Sequence, residues 1–232
     1  MRESGILMHI TSLPGPYGIG AMSKEAYHFV DFLEKAGQSC WQILPLTPTG
    51  YGDSPYQSFG ACAGNPYLID LDTLVEEGLL KKKELRSVTW SQSADRVDFG
   101  IQYAQRLAVL ALACRRFVPG EEYETFLTEN QSWLPDYALF MALKDENGGK
   151  PWLDWPEDVK LRKPEALEEK RKELSEAIAR QYFLQYQFDR KWKALRSYAN
   201  EKGIRIIGDV PIYVPLDSVD VWANPQDRKS VV

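Results

Sequence analysis

Three short apolar runs, each shut off by proline or glycine, constrain this chain more than any other feature. Gly5-Ile-Leu-Met-His-Ile10 runs into Thr11-Ser-Leu-Pro-Gly-Pro16, and Ser39-Cys-Trp-Gln-Ile-Leu-Pro-Leu46 is closed by Pro45 and Pro48. Proline has no amide donor for a ladder, so neither run can continue as a strand past these points. Between them Ser23 offers an N-cap. Ala26, Phe29, Val30, Leu33 and Ala36 follow at helical spacing, and Gly37 is placed to stop the helix. Strand, helix, strand, with a loop after each strand, is the grammar of a parallel α/β protein. The third run, Gly203-Ile-Arg-Ile-Ile-Gly-Asp-Val-Pro-Ile-Tyr-Val214, has a β-branched core bounded by glycines.

Far more chain separates the second and third runs than one crossover needs, so an inserted, mostly helical subdomain is expected. Residues 98–117 and 137–143 carry apolar residues at helical spacing, the latter stopped by Gly148-Gly149, and residues 164–203 read as one long helical pattern. Residues 49–67 break the pattern with Thr49-Gly-Tyr-Gly-Asp-Ser-Pro-Tyr-Gln-Ser58. A loop this long in a compact domain is functional or disordered, and its aromatic and small residues argue against disorder.

Composition removes several classes of function. A net charge of −5, with bases interleaved among acids, offers no basic stripe for nucleic acid. No apolar run approaches the roughly 18 residues of a membrane span, and the start of the chain does not read as a signal peptide. Three widely spaced cysteines, Cys40, Cys62 and Cys114, suit reduced thiols in a cytoplasm. With only His9 and His28, a histidine triad or metal cluster is hard to build, so no metal is expected. Gly15-Pro-Tyr-Gly-Ile-Gly20 lies between strand and helix but misses the dinucleotide spacing.

Two places remain for chemistry. Asp209 follows Gly208 at the carboxyl end of the third run, the edge where α/β proteins build their sites; the alternative is an Asp that caps a turn. Asp53-Ser-Pro-Tyr-Gln57 sets a carboxylate, a hydroxyl, a ring and an amide close together, which suits a sugar; a well-ordered turn would need the same residues. His9, at the end of the first run, reads either as a hydrogen-bonded strand histidine or as a site residue.

Taken together, the blocks are specific. His9-Ile-Thr-Ser-Leu-Pro-Gly-Pro-Tyr-Gly-Ile-Gly20, Trp41-Gln-Ile-Leu-Pro-Leu46, Gly50-Tyr-Gly-Asp-Ser-Pro-Tyr-Gln-Ser-Phe59, Gly64-Asn-Pro-Tyr-Leu-Ile-Asp70 and Gly208-Asp-Val-Pro-Ile-Tyr-Val214 resemble the amylomaltases, the bacterial 4-α-glucanotransferases of the α-amylase superfamily. The resemblance implies the N-terminal portion of a TIM (β/α)8 barrel with an inserted mostly helical subdomain. Residues 1–48 would hold the first strands and helix, 49–163 the insertion and glucan-binding loop, and 164–232 the long helix and third strand. It implies retaining transfer of α-1,4-glucan segments between maltooligosaccharides, without a cofactor, through a carboxylate nucleophile and a second carboxylic acid. By motif, Asp209 would line the donor subsite, and Ser54, Tyr56 and Gln57 the glucan groove. Tyr51 and Tyr103 would hold a second glucan. The family continues after Asn224-Pro225 into the rest of its barrel, where this chain reads Gln226-Asp-Arg-Lys-Ser-Val-Val232. The nucleophile and acid/base are therefore expected beyond Val232, with no catalytic residue in this chain and no activity of the chain alone; the alternative is a non-catalytic glucan-binding fragment.

Overall fold

The computed structural model describes residues 3–93 and 95–226, so the closing stretch singled out in the sequence lies outside the described residues from Asp227 onward. The chain gathers into two compact units, each assembled from three segments.

The first unit takes Met1–Leu46, Asn65–Phe117 and Gln187–Val210. Its sheet is parallel, in the order β1 (Gly5–Leu7), β2 (Cys40–Gln42), β3 (Arg205–Ile207). Ile6 pairs with Trp41, and Trp41 with Ile206, so these three side chains share one face. That face is the core: Trp41 is fully buried, Ile6 and Ile206 pack against the same cluster, and the indole Nε1 donates to the Met8 carbonyl at 2.7 Å. Helix α1 (Lys24–Lys35) lays Ala26, Val30 and Leu33 on it, and Leu195 and Ala199, late in a long helix, complete it. The Ser23 hydroxyl donates to Glu25 instead of accepting from a helix amide, and Gly37 ends α1 at φ 66°.

All three strands are shorter than their apolar runs. Past Leu7 the chain makes one more ladder bond, Met8 N–H to the Gln42 carbonyl, and then turns at Ile10–Ser12. Ile10 is apolar because it enters the core from that turn, not because it extends the strand. The turn closes against Gly20, whose position a Cβ could not share: it would meet the Ile10 carbonyl oxygen at 2.0 Å. Downstream come α2 (Leu71–Glu76), capped by the Asp70 carboxylate, and α3 (Lys82–Arg86). The helix expected over 98–117 arrives in three pieces: α4 (Phe99–Ile101), a π turn (Gln102–Arg106) and α5 (Leu107–Arg116).

The second unit takes Thr47–Gly64, Val118–Tyr186 and Pro211–Val232. It contains α6 (Glu121–Glu129), α7 (Leu134–Glu146), α8 (Glu157–Lys160) and α9 (Pro164–Glu173). The first part of α10 (Ser175–Glu201) and α11 (Val219–Ala223) also belong to it. Phe140, Trp155 and Trp222 form a mutually tilted ring cluster at its centre, with the Arg162 guanidinium 4.2 Å from the Trp222 ring. The single helix read over 164–203 is two helices, because Leu174 leaves helical geometry at φ −99° and ψ 18°. Among the described residues no helix is long and apolar enough to cross a membrane.

Candidate functional site

Four of the six residues singled out for ligand contact lie on one loop of the second unit. Thr49 and Ser58 form an antiparallel bridge, and Gly50 N–H donates to the Gln57 carbonyl at 2.6 Å. The enclosed chain turns through Tyr51–Asp53, with Gly52 and Asp53 both at positive φ, of which only the glycine adopts it without steric cost. Ser54 then organises the tip: its carbonyl accepts from Gln57 N–H at 3.1 Å and its Oγ from Tyr56 N–H at 3.3 Å. Thr47 Oγ1 closes the base by donating to the Pro55 carbonyl. The Tyr56 ring is 42 % exposed and Gln57 is exposed, while Ser58 is buried. Of Tyr51 the turn position is described and the side chain is not.

The result is a hydrogen-bonded hairpin whose tip offers a flat ring, a hydroxyl and a primary amide. Such a set can stack on the apolar face of a sugar and bond its hydroxyls. Behind the tip the loop is held tightly. Ser58 Oγ donates to the Gly60 carbonyl and accepts from Gly60 N–H, and a Cβ at Gly60 would meet the Tyr137 ring at 2.9 Å.

Asp209 and Tyr103 belong to the first unit. Because β1 and β3 run parallel, His9 and Asp209, each two residues past its strand, leave the same edge of the sheet. Asp209 is partly exposed. His9 is partly buried, with Nδ1 shut away from solvent and without a hydrogen-bond partner in the structure. Burial lowers its pKa to about 4, so the ring is neutral at neutral pH.

Tyr103 stands 60 % exposed on the π turn. The residues that hold that turn carry no obvious signal in the sequence. Gln102 and Arg106 are fully buried; Gln102 Nε2 donates to the carbonyls of Tyr17 and Trp90, and Arg106 Nη2 to that of Ile69 at 2.7 Å. Burial lowers the Arg106 pKa to about 10, against the opposing pull of Asp70. The Gly15–Gly20 stretch is thus a packed connection: Tyr17 hands its carbonyl to Gln102 and its hydroxyl to Asp72 at 2.5 Å. A cavity of about 960 Å³, lined by Ser12, Gly15, Trp90, Gln92 and Arg96 among others, opens beside it. Among the described residues no group of three His, Cys, Asp or Glu could hold a metal ion.

Residues 8–229 match the family described as 4-alpha-glucanotransferase. A 4-alpha-glucanotransferase of Clostridium butyricum is 50 % identical over 220 residues, which are 94 % of this chain and 45 % of the relative. One of Streptococcus pneumoniae is 48 % identical over 235 residues, covering 100 % of this chain and 46 % of the relative. Among solved structures, an amylomaltase from Streptococcus agalactiae in complex with acarbose superposes with a TM-score of 0.93 at 46 % identity, over 99 % of this chain and 48 % of that one. The chain spans about half the length of the curated relatives it matches.

Proposed function

The chain belongs to the 4-alpha-glucanotransferase family, and on that premise we propose that it supplies part of the glucan groove of a retaining 4-α-glucanotransferase. The observation that carries this reading is the hairpin tip, where Ser54, Tyr56 and Gln57 are held in one hydrogen-bonded turn with Tyr56 and Gln57 exposed. The substrates are maltooligosaccharides and α-1,4-glucans. In the reaction a carboxylate displaces the leaving glucan to form a covalent glycosyl-enzyme, and a carboxylic acid protonates the departing oxygen. That same group then takes the proton from the acceptor 4-hydroxyl as the acceptor displaces the carboxylate. None of this chain's residues is assigned those two roles. Asp209 is assigned the donor subsite, the Tyr56 loop the groove, and Tyr51 and Tyr103 a second glucan contact.

The three parallel strands are read as the first strands of a (β/α)8 barrel, with the helical chain between β2 and β3 as its insertion. The sparse cysteines support a cytoplasmic setting. A purely non-catalytic glucan-binding module is less favoured, because the matched relatives are named for transfer.

Calorimetric titration of the chain with maltoheptaose tests the groove. We expect sub-millimolar binding, weakened about tenfold by Tyr56→Ala, the scale of one lost ring–ligand contact. Absence of heat at millimolar ligand would sink the reading. The 232-residue chain is expected to produce no glucose and no longer oligomers from maltotriose.

A further inference from the structure

Behind the hairpin tip lies a buried cation that the proposed reaction does not use. Lys144, in the last turn of α7, is 5 % exposed. Its Nζ meets Asp217 Oδ2 at 2.5 Å, donates to the Lys150 carbonyl at 3.3 Å, and lies 4.7 Å from the centroid of the Phe59 ring. Phe59 is three residues beyond Tyr56 on the same loop. Asp217 also accepts from Trp152 N–H at 3.2 Å. Two further bonds tie the same stretch to the start of α11: Val219 N–H donates to the Phe59 carbonyl at 2.9 Å, and Ala61 N–H to Asp220 Oδ2 at 3.0 Å.

This arrangement is a costly way to fill a core. Lys144 is buried while the Asp217 side chain keeps 31 % exposure, so the desolvation penalty falls mainly on the cation, and apolar residues of the same volume would avoid it. A buried cation can, however, hold one ring in one place, because its attraction to the ring face is strengthened when water is excluded. The ring it holds is the first large side chain behind Tyr56 and Gln57. Phe59 adjoins Ser58, the residue bridged to Thr49 at the base of the hairpin.

We infer that Lys144 and Asp217 are positioning residues for glucan binding: the ion pair fixes Phe59, and through it the orientation of the Tyr56–Gln57 tip. This inference rests on the groove reading of that tip. The pair itself touches no glucan.

The test uses the 232-residue chain in two arms. In the first, the Tyr56 ring is labelled as fluorotyrosine and observed by fluorine NMR without ligand. We expect one sharp resonance in the parent, a shifted or broadened one in Lys144→Met, and recovery in Lys144→Arg, which keeps the charge over Phe59. In the second, maltoheptaose affinity per folded molecule is compared for Tyr56→Ala, Lys144→Met and the double variant. Each single change is expected to weaken binding about tenfold, and the double change no further, the signature of residues acting as one unit.

Losses that multiply to about a hundredfold, or a Lys144→Met protein that binds like the parent, overturn the inference. So does an unchanged Tyr56 resonance. Should Lys144→Met not fold, Asp217→Asn, which leaves an acceptor for Trp152 N–H, is read the same way. Failure of both to fold assigns the pair to stability and also overturns the inference. A parent chain that ignores maltoheptaose sinks the groove reading and the glucan role given to the pair. A Tyr56 resonance that still moves in Lys144→Met then separates that failure from failure of the anchor.

Discussion

His9 shows what burial does to a single residue. An unfolded histidine titrates near its ordinary 6.5, whereas burial lowers the folded value to about 4. A lowered folded value means that the folded state resists protonation. The stability it contributes is therefore fully present above pH 6.5 and is lost as pH falls from there through 4. We expect the urea midpoint of the chain to decline across that window, and His9→Gln to flatten the decline. An equally steep profile in His9→Gln would remove His9 from the acid response. The sequence placed His9 at the end of the first strand and left its role open, whereas the strand stops two residues earlier, at Leu7. The burial of its Nδ1 arises only in the folded chain, and no local pattern encodes it.

At the scale of elements, the π turn is the sharpest departure from periodic reasoning. Residues 98–117 carry apolar residues at helical spacing, and nothing in that spacing reveals an extra residue in one turn. Within the turn Gln102 and Arg106, four residues apart and on one face, both reach backbone carbonyls of other segments. Arg106→Met should leave the Ile69 carbonyl without its buried donor. We expect it to cost about 3 kcal/mol, read from the urea midpoint at unchanged slope. A loss below about 0.5 kcal/mol would show that water replaces the guanidinium. Tyr103, carried on the exposed side of this turn, was legible in the sequence only through family resemblance. The Tyr51–Gln57 stretch was legible as a turn-rich loop, because glycine, proline and serine at fixed offsets favour turns by local sterics, but its closure by the Thr49–Ser58 bridge was not.

For the whole molecule, the decisive observation is the parallel sheet of the first unit. Leu7 and Ile207, on the face opposite Trp41, remain 56 % and 46 % exposed, and among the described residues β1 and β3 have no strand partner on their outer edges. Parallel sheets are ordinarily covered on both faces, and an exposed apolar edge pairs with other chains. The 232-residue chain is expected to self-associate with rising concentration in sedimentation velocity. Leu7→Lys combined with Ile207→Lys should shift it toward monomer; equal association in the double variant would exonerate this face.

By itself the sequence located the three strands, the first helix and the turn-rich loop, because proline, glycine and apolar spacing act within a few residues. Five ordered motif blocks also determined the family. The tertiary structure alone decided how short the strands are, that one helix contains a π turn and that another divides at Leu174. It also decided that Lys144 and Arg106 are buried. Each of these depends on partners distant in sequence, such as Asp217 for Lys144 and Ile69 for Arg106, and a buried charge is tolerated only where the fold brings such a partner.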